Sequence, residues 1–373
     1  MASKHNHLQE LMSNTAKLFE ATRIGDIAIS NRVIMAPLTR CRANEPAGDV
    51  PGSAMNIEYY VQRSNAGLII SEGTQVSPVG KGYMATPGIY SDAQVAGWKK
   101  ITDAVHEAGS KIIAQIWHVG RITHPDLTGG ATPIAPSAIK PNVVAYSAKG
   151  KLEVPTPHAL TVSEIKDVVG QFRKAAANAI KAGFDGVEIH GANGYLIDQF
   201  IRDGANQRTD EYGGSIENRI RFALEVVKAA SEEIGAGRVG IRLSPLTPFN
   251  DLSDSNPQAT FSKLIEELNH LNIAFIHMIE GATGGSRDIP GFDYSLAKKL
   301  FKGSYIANNG YTRESAINAV ESGKADAVSF GRAFIANPDL VQRFKANAPL
   351  NQPNPQTFYA PGPEGYIDYP SLI

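Results

Sequence analysis

Eight short apolar runs recur along the chain, each followed by a polar or glycine- and proline-containing segment. They are Val33–Ala36, Leu68–Ser71, Ile112–Trp117, Val187–His190, Val239–Leu243, Phe275–Ile279, Ser304–Ala307 and Ala327–Phe330. Near-continuous apolar runs, without alternation, are the pattern of strands buried on both faces, as in parallel sheets. Between them lie stretches of helical period, among them Ser163 to Ala182, Ser215 to Ile234, Thr260 to Leu271 and Thr312 to Ser322. Ser163 and Thr312 suit N-caps because a hydroxyl there accepts from a first-turn N–H, and Gly183 and Gly323 suit helix stops. Strands alternating with helices eight times over predict an α/β fold, a single (β/α)8 TIM barrel. A doubly wound open sheet is the alternative, weakened because no G-x-G-x-x-G follows an early strand.

Two pieces fall outside the repeat. Residues 118–158 form a long Pro- and Gly-rich excursion after the third strand, longer than a routine loop and expected to be a functional loop or small subdomain. Residues 351–373 form a Pro- and Tyr-rich tail without periodicity, expected to pack over the barrel mouth. The expected organisation is a polar leader at 1–16, a barrel at 17–350 and this tail. The 373 residues fit one large barrel, and 42% hydrophobic with 20% charged residues is ordinary globular composition. A net charge of -1 gives no basic face for nucleic acid. No apolar run is long enough to span a bilayer, and Met1 to Ala16 lacks the apolar core of a secretory signal. Ser371-Leu372-Ile373 does not match the peroxisomal address. The lone Cys41 excludes an internal disulfide and a cysteine zinc site, and a cytoplasmic enzyme, monomer or homodimer, is expected.

Active sites of such barrels lie at the C-terminal ends of the strands. Pro37, Thr39 and Arg40 follow the first strand, and Glu72-Gly73 the second. Gln115 and Trp117 end the third, Arg242 sits on the fifth, Asn308-Asn309-Gly310 follows the seventh and Gly331-Arg332 the eighth. The densest chemistry closes the fourth strand, where His190, Asn193 and Tyr195 emerge within six residues. His and Asn can both donate to one carbonyl oxygen, and a phenol of pKa about 10 still holds its proton at neutral pH. That set points to chemistry on a carbonyl-activated substrate; a polar loop with a satisfied core histidine fits the same residues. Gly310 and Gly331 permit close backbone approach and Arg332 offers a fork of donors, so the last two loops suit a phosphate. A turn with a surface arginine is the alternative. Arg242, flanked by Ile241 and Leu243, needs a carboxylate partner or a negative ligand. With Thr39 and Gln115 at the same mouth, it suits a planar heteroaromatic that gains negative charge, a flavin. His118 and His124 lack metal-ligand spacing, so no metal is expected. His106 is expected at the surface and His277 in the core. Cys41 is read as a small buried residue rather than an activated thiol. No lysine stands among the strand-end candidates, which disfavours a Schiff-base aldolase.

These residues, in this order, resemble the classical branch of the old yellow enzyme family of flavin-dependent ene-reductases. The likeness runs through Met35-Ala36-Pro37-Leu38-Thr39-Arg40, Ser71-Glu72-Gly73-Thr74, Gln115-Ile116-Trp117 and the His190 to Leu196 segment. It continues through Arg208 to Arg219, read as structural, then Phe330-Gly331-Arg332, Asn337 to Leu340 and Gly365 to Pro370. The resemblance implies tightly bound FMN across the barrel mouth, held by Pro37, Thr39, Gly73, Gln115 and Arg242, with Asn309, Gly310, Gly331 and Arg332 at the phosphate. Many relatives carry Gly where this chain has Asn309, and Asn tolerates the left-handed turn. It also implies a substrate pocket of His190, Asn193, Trp117 and Tyr359. NADPH or NADH would reduce the FMN. An α,β-unsaturated carbonyl or nitro compound would then take a hydride at its β-carbon and a proton from Tyr195, in ping-pong order. A reductase acting mainly on nitro compounds or nitrate esters, and a TIM-barrel lyase or hydrolase without flavin, remain alternatives.

Overall fold

The apolar runs close on themselves. In a computed structural model that describes residues 15–372, eight parallel strands form one barrel. They are Val33–Met35, Leu68–Ile70, Ile112–Trp117, Val187–His190, Val239–Leu243, Phe275–Ile279, Ser304–Asn308 and Ala327–Phe330, here the first to eighth barrel strands. The first pairs with the eighth (Phe330 opposite Met35), and the third pairs with the fourth (Gln115 opposite Glu188), which completes the ring. Each strand leads to a helix on the outside: Ala54–Gln62, Asp92–Glu107, Val162–Lys181, Arg221–Ile234, Pro257–His270, Tyr294–Leu300, Arg313–Glu321 and Leu340–Ala346 in turn. The (β/α)8 barrel is therefore the fold, as the alternation predicts. The open-sheet alternative fails because the sheet has no free edge at its ends.

Helix boundaries depart from expectation in physically simple ways. The helix before the fourth strand starts at Val162, and its N-cap is Thr161, whose hydroxyl accepts from Glu164 N–H; Ser163 lies inside the first turn. The Ser215 to Ile234 stretch is two helices, Ile216–Arg219 and Arg221–Ile234, with Ile220 as the joint; Ser215 does cap the first. The helix after the fifth strand begins earlier, at Pro257, capped by Asn256. Proline suits that first position because its missing N–H would have no partner there. Thr312 caps as expected and shares a capping box with Ser315.

A hairpin that the apolar pattern did not reveal, Thr22–Ile24 with Ile27–Ile29, plugs the N-terminal end of the barrel. Its isoleucines Ile24, Ile27 and Ile29 join Ile34, Leu68, Ile70, Ile113, Phe275, Ile306 and Ala327 in one buried cluster. Its turn needs Gly25, with φ 57°, where a Cβ would lie 2.3 Å from the Gly237 carbonyl. The 118–158 excursion holds a hairpin, Val144–Ser147 with Gly150–Glu153, and a two-residue pairing of Ile134–Ala135 with His158–Ala159. The tail packs at the rim beside the first strand. Arg40 donates to Phe358 and Gly365 carbonyls, Arg42 to those of Thr357 and Gly362, and Tyr366 stacks on Tyr59 at 4.2 Å. The expected 1–16 leader falls mostly on residues 1–14, outside the described residues, as does Ile373.

Candidate active site

The fourth barrel strand ends at His190, and the chain then turns through Gly191–Gly194 before the helix Leu196–Ile201. The turn is held from both sides. Asn193 N–H donates to Ser244 Oγ at 2.8 Å, and Asn250 Nδ2 donates to the Asn193 carbonyl at 2.8 Å. Asp198 accepts from Gly194 N–H at 2.9 Å and pairs with buried Arg202 at 2.8 Å. Asn193 adopts the left-handed conformation (φ 59°), a position that asparagine tolerates better than most residues. Local strain of this kind clusters at functional sites.

The side chains are placed as donors. Ala192 N–H donates to His190 Nδ1 at 3.2 Å, which leaves the proton of a neutral imidazole on Nε2. Burial, aided by Arg242 and His277, pushes His190 well below its ordinary pKa, so it acts as a neutral donor. Thr283 Oγ1 donates to Asn193 Oδ1 at 2.6 Å, so the amide keeps its Nδ2 hydrogens free. Tyr195 Oη meets Tyr83 Oη at 2.6 Å, and burial pushes Tyr195 up to about 12, so it remains protonated at neutral pH. Trp117 stacks between Tyr83, at 5.9 Å and 15°, and His190, at 5.6 Å and 8°. Tyr195 stands edge-on to Trp117 at 4.9 Å. Gly73 has a packing reason of its own, since a Cβ there would lie 2.7 Å from the Trp117 ring.

Arg242 is buried on the fifth strand. Its Nη2 donates to Asn308 Oδ1 at 2.9 Å, its Nε has no partner, and among the described residues no carboxylate comes within ion-pair distance. The structural ion pair is thus absent, and the buried Nε is left open to a ligand. Gln115, 2% exposed, donates from Nε2 to Glu188 Oε1 at 2.9 Å and keeps its own oxygen free of that bond. Pro37 and Thr39 lie half-buried after the first strand. Gly310 (φ 68°) has open space around it, and exposed Arg332 starts the helix Arg332–Ala336 with its guanidinium beside Gly284. Asn309 does take the left-handed turn (φ 98°), but its Nδ2 is spent on the Glu280 and Ala282 carbonyls, so only its backbone can face a phosphate. Tyr359 is 65% exposed on the tail, within electrostatic reach of Arg332 and Tyr195. The free Nε of Arg242, the amide of Gln115 and the glycine loops suit a flat polar ring with an anionic tail, as in a flavin nucleotide.

Other candidates resolve differently. Arg40 serves the tail rather than the mouth, and buried Glu72 accepts from Tyr60 Oη at 2.6 Å. Burial pushes the Cys41 thiol up to about 12, the opposite of an activated thiol. The Arg208 to Arg219 run is structural, with Arg208 donating to the Pro136 carbonyl and Arg219 to Asp254. His106 is exposed, as expected, and bonds Asp185 at 2.8 Å. His277 is fully buried in the barrel. Sequence reasoning missed Tyr83 and Thr283, which stand in loops without period or motif. It also passed over Glu188 and Ser329, whose signal was a polar residue inside an apolar strand. Among the described residues no cluster of three His, Cys, Asp or Glu side chains could hold a metal, and no helix is long and apolar enough to cross a membrane.

Known proteins resemble this chain along most of its length. Residues 17–351 match the NADH:flavin oxidoreductase / NADH oxidase family. The chain is 45% identical to 12-oxophytodienoate reductase 7 of Oryza sativa subsp. japonica, over 96% of this chain and 95% of that protein. The old yellow enzyme homologue from Zymomonas mobilis superposes with TM-score 0.92 at 46% identity, covering 95% of this chain and all of that one. Morphinone reductase in complex with tetrahydroNAD superposes with TM-score 0.90 at 45% identity, over 95% of this chain and 98% of that one. The chain belongs to the NADH:flavin oxidoreductase / NADH oxidase family, that of the old yellow enzymes, and is a flavin-dependent oxidoreductase that uses FMN.

Proposed function

We propose that this enzyme reduces electron-poor alkenes, α,β-unsaturated carbonyl or nitro compounds, at the expense of NADPH or NADH. When bound, FMN supplies a hydride that it has received from the nicotinamide. His190 Nε2 and Asn193 Nδ2 donate to the substrate oxygen, so the double bond is polarised toward it. Each such preorganised donor contributes roughly 3 kcal/mol to transition-state stabilisation. Tyr195 hands its proton to the α-carbon, and Tyr83, 2.6 Å away, fixes the hydroxyl that does so. Trp117 and Tyr359 shape the pocket around the alkene. Gln115, Arg242, Thr39, Pro37 and Gly73 hold the flavin ring, with Gly310, Gly331, Arg332 and the Asn309 backbone at its phosphate. The observation that carries this reading is the neutral histidine and amide donor beside a protonated tyrosine. A lyase or hydrolase does not need that trio or a buried Arg242 with no carboxylate beside it and a free Nε. A net charge of -1 offers no basic face for nucleic acid, which supports small molecules as its partners.

The test is a visible spectrum of the purified protein, followed by anaerobic NADPH and then cyclohexenone. A flavin absorbance bleached by NADPH and restored by the enone is expected. A colourless protein that takes up no FMN, or one bleached and never restored by enone or nitroalkene, overturns the assignment.

A further inference from the structure

The upper interior of the barrel holds six buried polar side chains in one continuous chain of hydrogen bonds. Arg242 Nη2 donates to Asn308 Oδ1 at 2.9 Å, and Asn308 Nδ2 to Ser329 Oγ at 2.8 Å. Ser329 Oγ meets His277 Nε2 at 2.7 Å, and His277 Nδ1 meets Glu188 Oε2 at 2.8 Å. Gln115 Nε2 closes the chain on Glu188 Oε1 at 2.9 Å. Three of the five links join alternate strands, fourth to sixth, sixth to eighth and fifth to seventh, which only inward-facing side chains can do, and the other two join neighbouring strands.

Donor capacity fixes the direction of every link. Arginine only donates, so Asn308 presents its oxygen to Arg242 and its nitrogen to Ser329. The serine proton is then free for His277 Nε2, which leaves Nδ1–H for the Glu188 carboxylate. Burial lowers the His277 pKa, in keeping with a neutral ring carrying one such proton. Glu188 takes the Gln115 nitrogen, so the Gln115 oxygen is left as an acceptor. A flipped amide would set two acceptors against each other. Both ends of the chain are therefore oriented, and the Arg242 end carries a buried Nε without a partner. A carboxylate placed directly on Arg242 would have consumed that guanidinium. Here the carboxylate stands away from it, joined through neutral groups.

We propose that Glu188, His277, Ser329 and Asn308 are positioning residues, one relay that aims Gln115 and Arg242 at bound FMN and sets the charge the flavin meets. The proposal rests on the reading of Gln115 and Arg242 as FMN ligands. Its test is the midpoint potential and FMN dissociation constant of the holoenzyme, with Arg242→Gln as reference and Phe275→Ala, deeper in the barrel, as a stability control. Glu188→Gln removes a negative charge behind Gln115, so the flavin becomes easier to reduce. The reduced-to-oxidised ratio at fixed poise rises about tenfold, about 30 mV for a two-electron couple. Ser329→Ala cuts the relay with little loss of volume and weakens FMN binding about fivefold, the size of one lost hydrogen bond. It keeps the test alive if Glu188→Gln fails to fold. Phe275→Ala lowers the unfolding midpoint and leaves potential and affinity at wild type. If Arg242→Gln shifts both readouts while Glu188→Gln and Ser329→Ala shift neither, the relay is core packing only and the proposal falls. If Arg242→Gln and Gln115→Ala also shift neither, the ligand reading beneath it has failed, and the proposal falls with it.

Discussion

The lower and upper halves of the barrel interior are built by the same strands with opposite contents. Residues two apart on a strand face the same side, so Ile113 lies below Gln115, Phe275 below His277, Ile306 below Asn308 and Ala327 below Ser329. The lower members form an apolar cluster closed by the hairpin isoleucines. There Gly240 leaves room for the Phe275 ring, which would lie 2.2 Å from a Cβ at that position. The upper members are all polar, buried and hydrogen-bonded. Burial of apolar surface below supplies stability, whereas a polar network above costs desolvation that only correct pairing offsets. One ring of strands thus serves as foundation at one end and as a template for chemistry at the other.

Substitutions should separate the two halves. Tyr195→Phe, at the top, should slow enone reduction by about 10²–10⁴-fold and leave flavin reduction by NADPH near normal. Stopped-flow of the two half-reactions checks this, and equal slowing of both would contradict the proton-donor role. Phe275→Ala, at the bottom, should cost about 3–5 kcal/mol in urea unfolding with flavin binding intact. Comparable loss of flavin affinity would erase the distinction between the halves.

Acid should act on the top first. Burial holds His118 down to about 3 and keeps His190 and His277 below the usual histidine range. Below pH 6.5, the ordinary value, the unfolded chain binds these protons and the folded chain does not, so stability falls as pH drops. Glu72, raised to about 7 from 4.5, opposes this: its contribution is complete below 4.5 and is lost as pH rises through 7. His118→Asn should flatten the slope of stability between pH 6 and 5 by at most about 1.4 kcal/mol per pH unit. An unchanged slope would count against a neutral buried His118. The smallest effect is expected from Thr283→Val, which removes the donor to Asn193 Oδ1. Affinity for a phenol that mimics the enolate should fall about fivefold, with unfolding unchanged. Undiminished titration of the flavin by p-chlorophenol would show that Asn193 needs no such support.

The barrel was legible because each of its strands is a short apolar run, and two-sided burial leaves no other composition. The Thr22–Ile29 hairpin escaped notice because two three-residue strands give too little alternation to register. Ile220 breaks a helix that periodicity alone reads as continuous, since the amphipathic pattern carries through the joint. At the site, His190, Asn193 and Tyr195 stood out because one strand end carries all three. Tyr83 did not, because its neighbours in space, Trp117 and Tyr195, are far away in the chain. Glu188, His277 and Ser329 looked bland singly. Their meaning lies in strand register, which places them on one inward layer.

Thr283 stands in a segment rich in glycine, Gly281 and Gly284-Gly285, and reaches across to an amide on another loop. Reshaping that segment would also reorient the amide proposed to grip the substrate oxygen. Under the proposed function, variants of residues 281–285 would therefore alter the setting of the Asn193 amide along with the loop itself.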